Sequence, residues 1–464
     1  MEIDPLLLSR TQFGFTLAFH ILFPTLTIGL AGFLLLLKIA GLASGNASGR
    51  AIYRQSYRFW VRIFALGFGV GVVTGVVMSY QFGTNFSRFS HAAGNVLGPL
   101  LAYEALTAFF LEASFLGVML FGQDRVGERL HTFATAMVAL GTLISSFWIL
   151  AANSWMQTPQ GHALRDGIFY PADWSAIIFN PSFPYRFAHM VTASYIATAF
   201  LVAAVCAWYL LRGRHRPFAV VNLRFAVGLA LLLAPLQILL GDLHGREVER
   251  YQPVKLAAME GLWETRRGAP FVVLAWPDRR VERNRYELAI PCVSSLLLKH
   301  DPNGEVRGLK EVEARDRPFV PLVFFAFRVM VTAGFLMLAV AIAGGVLWRR
   351  GRLFETRWYL RALVLCGPIG FVAVLAGWVT AEAGRQPWLV QGLYRTAQGV
   401  TPSLDTETVL ISMALFTVVY NLLLGAFLYY GAGLIRRGPE QPEPAVTGPV
   451  GHHPIAAAQP GRES

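Results

Sequence analysis

Six ionisable side chains and one thioether stand inside runs of apolar residues: His20, Glu104, Glu112, His189, Arg328, Met330 and Glu382. An ionisable side chain at membrane depth costs roughly 2.5 to 3.5 kcal/mol on insertion scales, so each needs a partner or a function. Two imidazoles, a thioether and a carboxylate are donors suited to haem iron, which takes His or His/Met axial ligands. A lone histidine of this kind is explained as well by a helix-packing hydrogen bond, and a depth shared among the donors tips the reading towards a cofactor held in a helical bundle. Glu104 and Glu112 are eight residues apart, about 12 Å along a helix and some 80° apart around it at ~100° per residue. They suit a proton relay, or else hydrogen bonds between helices by protonated acids. Ser145 and Asn153 extend such a polar path or act only as glue between helices.

The elements that position these residues follow from composition. Of 464 residues, 55% are hydrophobic and only 15% charged, against about 25% charged in soluble proteins. A water-soluble globule is excluded. Charge-poor runs at about 12–37, 63–87, 92–122, 132–152, 187–211, 225–241, 319–348, 362–382 and 408–435 approach or exceed the ~20 residues that span a bilayer core. The expected fold is an all-α, polytopic transmembrane bundle of about nine spans. Arginines gather after spans one, three, five and seven: Arg50, Arg54 and Arg58; Arg125 and Arg129; Arg212, Arg214 and Arg216; Arg349, Arg350, Arg352 and Arg357. Those connections are expected in the cytoplasm, with the N-terminus outside and the C-terminus inside. His20, His189, Arg328, Met330 and Glu382 then all fall towards the outer face.

The expected division is 1–241 for helices one to six, 242–318 for an extracytoplasmic loop, 319–435 for helices seven to nine, and 436–464 for a disordered cytoplasmic tail rich in Pro and Gly. The loop opens GDLHGREVERYQPVKLAAMEGLWET, in which Gln252, Lys255 and Glu260 could hydrogen-bond the oxygens of an amphipathic ring. A solvated charged face is the plainer explanation. The net charge of +12 is distributed as topology requires, so no nucleic-acid partner is expected. Cys206, Cys292 and Cys366 are too widely spaced for a disulfide framework or a thiolate cluster, and no Cys-x-x-Cys-His motif attaches a c-type haem. The first apolar stretch is longer than a signal-peptide core and is expected to be a retained helix. No internal repeat is visible, which weakens an inverted-repeat transporter.

The segments GRQPW (Gly384 to Trp388) preceded by Trp378 and Glu382, QPVKLAAMEGLWET, FRVM ending at Met330, and NSWMQTP from Asn153 together resemble subunit I of the cytochrome bd-type quinol oxidases, in its shorter-loop form. The likeness runs from the first helix to about residue 435. It implies a quinol:dioxygen oxidoreductase of the bacterial cytoplasmic (inner) membrane. Quinol would be oxidised at the outer face and dioxygen reduced to water with protons drawn from the cytoplasm, making the reaction electrogenic. It implies three haems: a low-spin haem b and two high-spin haems, haem b with haem d or haem b at both. His189 and Met330 match the low-spin axial ligands, with Arg328 near its propionates or the quinol. His20 and Glu382 match the high-spin ligands, with the division between the two haems open. Trp378 and Arg385 pack on or pair with the haems. Gln252, Lys255 and Glu260 match the quinol-contacting positions, and Glu104 and Glu112 the intramembrane acids. A second membrane subunit is implied and small single-helix ones are allowed, all within the lipid bilayer. Gly384, Gln386, Pro387 and Trp388 also form a turn that ends span eight. The competing readings are a proton-coupled membrane transporter without haem and a non-catalytic scaffold.

Overall fold

The computed structural model describes residues 4–440; the expected tail lies outside them from residue 441 on. Helices α1 (Pro5–Ala43), α2 (Ala47–Thr84), α3 (Ser87–Glu104), α4 (Phe110–Phe121), α5 (Glu128–Gln157), α6 (Trp174–Ile178), α7 (Phe183–Leu211), α8 (Arg216–Tyr251), α9 (Pro253–Glu260), α10 (Val293–Lys299), α11 (Val320–Arg349), α12 (Arg357–Cys366), α13 (Ile369–Arg385), α14 (Thr396–Gly399) and α15 (Thr406–Arg437) carry the fold. Among the described residues, nine helical segments are long and apolar enough to cross a membrane. The all-α bundle expected from the sequence is therefore present.

Two spans are not simple helices. Between α3 and α4 the chain makes one π turn, Ala105–Phe109, which continues the third span without ending it. The eighth span is broken between α12 and α13 at Gly367 and Pro368, where proline lacks the amide that would close the ladder. The sixth span runs on as α8 to Tyr251, so residues 242–251 of the expected loop are helical, and α9 follows almost directly.

The core gathers large side chains of α1, α2, α7, α8 and α12. Phe33, Tyr57, Trp60, Phe64, Phe200, Tyr209, Phe218 and Tyr359 are fully buried there. Trp60 Nε1 donates to Asn222 Oδ1 at 3.0 Å, which satisfies both polar groups in the apolar interior. The bundle is uneven: 67% of the most apolar window of the fifth span is buried but only 11% of that of the ninth. The ninth helix thus offers most of its side chains to lipid or to another chain.

Four small antiparallel two-stranded sheets decorate the ends. They are β1 (His162–Arg165) with β2 (Ile168–Pro171), β3 (Arg266–Arg267) with β6 (Glu305–Val306), β4 (Phe271–Asp278) with β5 (Arg283–Ile290), and β7 (Trp388–Val390) with β8 (Tyr394–Arg395). The segment between α9 and α11 folds against the end of α11. The guanidinium of Arg328 holds it there, donating from Nε to the Val272 carbonyl at 3.1 Å and from Nη1 to the Met259 carbonyl.

Candidate active site

Glu382, near the end of α13, sits in a cage of donors. Its Oε1 accepts from Asn153 Nδ2 at 3.0 Å and Gln157 Nε2 at 3.1 Å, its Oε2 pairs with Arg385, and Arg186 stands 3.6 Å away. Arg186 in turn donates to Asn153 Oδ1 at 2.6 Å. Asn153 and Gln157 are four apart on α5, so one helical face presents both amides. A carboxylate among two guanidiniums and two amides keeps its charge when buried, and its acceptor capacity of about four lone pairs is not exhausted by three hydrogen bonds.

The same cage reaches the segment after α8. Gln157 Oε1 accepts from Lys255 Nζ at 2.5 Å and from Gln252 Nε2 at 3.0 Å. Lys255 also donates to Gln252 Oε1 at 2.7 Å, and Gln252 to Gln391 Oε1 at 3.2 Å. A Cβ on Gly384 would come within 2.8 Å of Lys255 Cγ, so the first residue of GRQPW leaves the lane along which Lys255 lies. Burial, with Arg186 nearby, holds the Lys255 amine well below the ordinary lysine range, against the pull of Glu382. Gln252 and Lys255 thus belong to a buried polar cluster, and a solvated charged face does not describe them.

Glu260 faces elsewhere. Five residues on from Lys255, it is turned by about 140° around α9, accepts from Ser294 Oγ at 2.9 Å and lies 3.9 Å from Arg328. Burial pushes its carboxyl up, against Arg328 and the Ser294 hydroxyl. Lys255 and Glu260 therefore sit in two separate clusters on opposite flanks of a short helix.

His20, on α1, places Nδ1 2.8 Å from Thr74 Oγ1. The Thr74 hydroxyl proton is directed at the Val70 and Gly71 carbonyls, at 2.9 and 3.1 Å. With the hydroxyl hydrogen on either carbonyl, His20 donates from Nδ1 and its Nε2 keeps a lone pair, the tautomer a metal-ligating histidine requires. His189, on α7, has a buried Nδ1 without a hydrogen-bond partner, and its ring meets His244 edge-on at 5.7 Å. The sulfur of Met330 on α11 lies 2.8 Å from where a Cβ on Gly377 would stand. α7 and α11 meet α8 at one level: Gln237 donates to the His189 carbonyl at 3.2 Å, and a Cβ on Gly334 would lie 3.7 Å from Ile238. Trp378, next to Gly377, reaches towards Gly14 of α1, 4.0 Å from its Cβ position.

Glu104 and Glu112 both face α5. Ser145 Oγ donates to Glu104 Oε1 at 2.8 Å, and a Cβ on Gly141 would stand 2.5 Å from Glu112 Cγ. Gly141 and Ser145 are one turn apart. The π turn between the acids acts as one inserted residue, so eight residues span the rotation of about seven and the offset falls from ~80° to ~20°.

Sequence reasoning missed Arg186, Gln157, His244 and Glu247. The Glu247 carboxylate accepts from Ser182 Oγ at 2.6 Å and has His244 3.8 Å away. Arg186 carried a usable signal: it stands at the end of a span where the charge rule disfavours arginine. Gln157 belongs to the NSWMQTP segment, but a glutamine at a helix end resembles any interfacial residue and nothing singles it out within that segment.

Among the described residues, no three His, Cys, Asp or Glu side chains are grouped to hold a bare metal ion. Single donors on separate helices, one with a fixed tautomer and one an unpartnered buried imidazole, fit irons whose equatorial ligands come from a porphyrin. The family model described as cytochrome bd terminal oxidase subunit I matches residues 8–439. The chain is 37% identical over 438 residues to cytochrome bd ubiquinol oxidase subunit 1 of Bacillus subtilis (strain 168), covering 92% of each. It is 35% identical over 508 residues to cytochrome bd-II ubiquinol oxidase subunit 1 of Escherichia coli (strain K12), covering 94% of this chain and 97% of that one. Its fold matches the bd oxidase from Geobacillus thermodenitrificans with a TM-score of 0.86 at 33% identity, over 94% of this chain and 99% of that chain. The chain belongs to the cytochrome bd terminal oxidase subunit I family.

Proposed function

We propose that this chain is the quinol-oxidising, dioxygen-reducing subunit of a terminal respiratory oxidase in a bacterial cytoplasmic membrane, working with a second membrane subunit. The observation that carries the reading is the single hydrogen-bonded cluster that joins Lys255 and Gln252, Gln157, and the Glu382–Arg385 pair. Two of the expected quinol contacts, Gln252 and Lys255, thereby share a network with an expected haem ligand. The haems supply electron transfer and dioxygen reduction. His189 and Met330 would hold the low-spin haem, and His20 and Glu382 the two high-spin ones. With two donors, His189 and Met330 would leave the low-spin haem to electron transfer, whereas His20 and Glu382, one donor each, would leave the other haems able to bind dioxygen.

The chain's own groups would bind and move protons. The buried Lys255 amine, held below its usual range, can exchange its hydrogen bond to Gln157 or Gln252 for one to a quinol oxygen. Glu260, pushed up by burial, is a stronger base than an ordinary carboxylate and can take a hydroxyl proton as quinol is oxidised. With the N-terminus outside, both lie at the outer face, and Glu112 and Glu104 line an inward path from the cytoplasm. Proton release on one side and uptake on the other makes the reaction electrogenic. A haem-free transporter is not favoured by the family. The deciding experiment is an optical spectrum of the detergent-extracted complex, with a pyridine haem assay and quinol-dependent oxygen consumption. A Soret band with oxygen uptake is expected; a colourless protein made with adequate haem supply overturns the proposal.

A further inference from the structure

Within the segment between α9 and α11, the hairpin of β4 and β5 has two unlike faces. Val272 and Ala275 are buried against Phe324 of α11. The other face exposes Leu274 at 56%, Trp276 at 57%, Leu288 at 62% and Ile290 at 51%. Leu274 stands opposite Leu288, and Phe271 opposite Ile290, so these side chains form one surface. An apolar surface of this size on a segment otherwise rich in charge marks a contact.

Three contacts fix its level along the seventh span. The Val272 carbonyl is held by Arg328, the Trp276 ring lies 5.7 Å from Phe325, and the Arg279 guanidinium lies 5.2 Å over Phe319. β4 therefore runs alongside the end of α11, with Val272 deepest and Arg279 level with the helix start. The Arg328 guanidinium reaches back over the Phe324 ring at 4.0 Å, and Val272 packs on Phe324, so β4 is level with Phe319 to Phe325, about 9 Å of helix, in a segment apolar enough to cross a membrane. Polarity follows depth: Ile290, Leu288 and Leu274 lie towards the Arg328 end, and Arg279, Arg280, Arg283 and Arg285 cluster at the tip. Asp278 and Glu282 are engaged by Arg285 at 2.6 Å and Arg317 at 2.7 Å, which leaves Arg279, Arg280 and Arg283 as uncompensated cations.

We propose that the β4–β5 hairpin lies beside the start of span seven in the outer membrane–water interface, its apolar face at the boundary between headgroups and acyl chains and its arginine tip at anionic phospholipid headgroups. Its surface continues the lipid-facing side of α11 through Trp276 and Phe325, and exposed Leu322 and Phe319 extend it. Tryptophan at this level with cations above it is the ordering of a membrane–water interface. A strand edge there is tolerated because it lies in the interfacial layer rather than in hydrocarbon.

The test uses the complete oxidase complex in nanodiscs containing anionic lipid, spin-labelled at Leu288→Cys or at Arg280→Cys. Power saturation is measured with molecular oxygen, which concentrates in lipid, and with chromium oxalate, which stays in water. The ratio of oxygen to chromium-oxalate accessibility is expected to be several-fold higher at residue 288 than at residue 280. Equal access of chromium oxalate to both overturns the proposal in favour of a hairpin in water, and exclusion of both reagents from residue 288 overturns it in favour of a protein partner. If Leu288→Cys does not assemble, Leu274→Cys reports on the same face.

Discussion

Gln157 Oε1 accepts from Lys255 Nζ at 2.5 Å while Gln157 Nε2 donates to Glu382 at 3.1 Å. One amide at the end of α5 thus couples the segment after α8 to the carboxylate at the end of α13. In Gln157→Leu both neighbours lose a hydrogen bond to a charged group, about 1.5 to 3 kcal/mol, or roughly ten- to a hundredfold in quinol-supported turnover. Oxygen consumption at saturating quinol, set beside an unchanged haem content, measures this.

Glu382→Gln leaves the guanidiniums of Arg186 and Arg385 without their buried counter-charge. Removing one partner of a buried pair costs about 3 to 5 kcal/mol. The variant complex is expected to melt at lower temperature and to lose part of its haem on purification. Retention of full stability and haem would show that the arginines find another anion.

Glu260 gives a pH signature outside the membrane. Its carboxyl is raised by burial and held down partly by Arg328. A base must be deprotonated to accept a proton, so turnover rises with pH through that raised value. Glu260→Gln is expected to flatten this limb. Arg328→Gln removes the positive neighbour, raises the carboxyl further, and moves the limb to higher pH. A pH profile of initial rate for the three proteins decides, and coincident profiles would remove Glu260 from proton transfer.

Met330→Leu nearly conserves volume, which core positions tolerate at less than about 1.5 kcal/mol, but removes the sulfur. The low-spin spectral signature is expected to disappear from a complex that still assembles. An unchanged spectrum would reject the axial assignment.

Glu112 rests on the bare backbone of Gly141. Glu112→Gln is expected to slow turnover with little change in the KM for quinol, and Gly141→Ala, by pushing the carboxylate away from α5, to do the same in smaller measure. Steady-state kinetics separates the two parameters, and an unaltered maximal rate in Glu112→Gln would take it out of the proton route.

Nine spans were legible because apolar run length is a direct physical requirement of the bilayer, and Glu382 because a carboxylate in such a run demands an explanation. Contacts between distant segments were not. Lys255 and Glu260 look like a pair in a short stretch of sequence, yet helical rotation sends them to different neighbours. Arg186, Gln157 and Glu247 act through partners brought up by tertiary packing, and of the three only Arg186 is marked, by its place at a span end where arginine is disfavoured. The continuation of α8 to Tyr251 was hidden because charges interrupt the hydrophobic run while leaving helical propensity intact.

The π turn at Ala105–Phe109 means that length, rather than residue identity, sets where the third span aims its acids. Excising a single residue such as Leu106 would restore regular winding below Glu104 and leave the later side chains of that span facing as they do, because seven regular residues turn as far as eight that include the π turn. Excising one residue from the regular helix instead, with the π turn kept, would swing Glu112 by about 100° out of the groove at Gly141. In this span the effect of a one-residue deletion depends on where it falls, which substitution scanning alone cannot reveal.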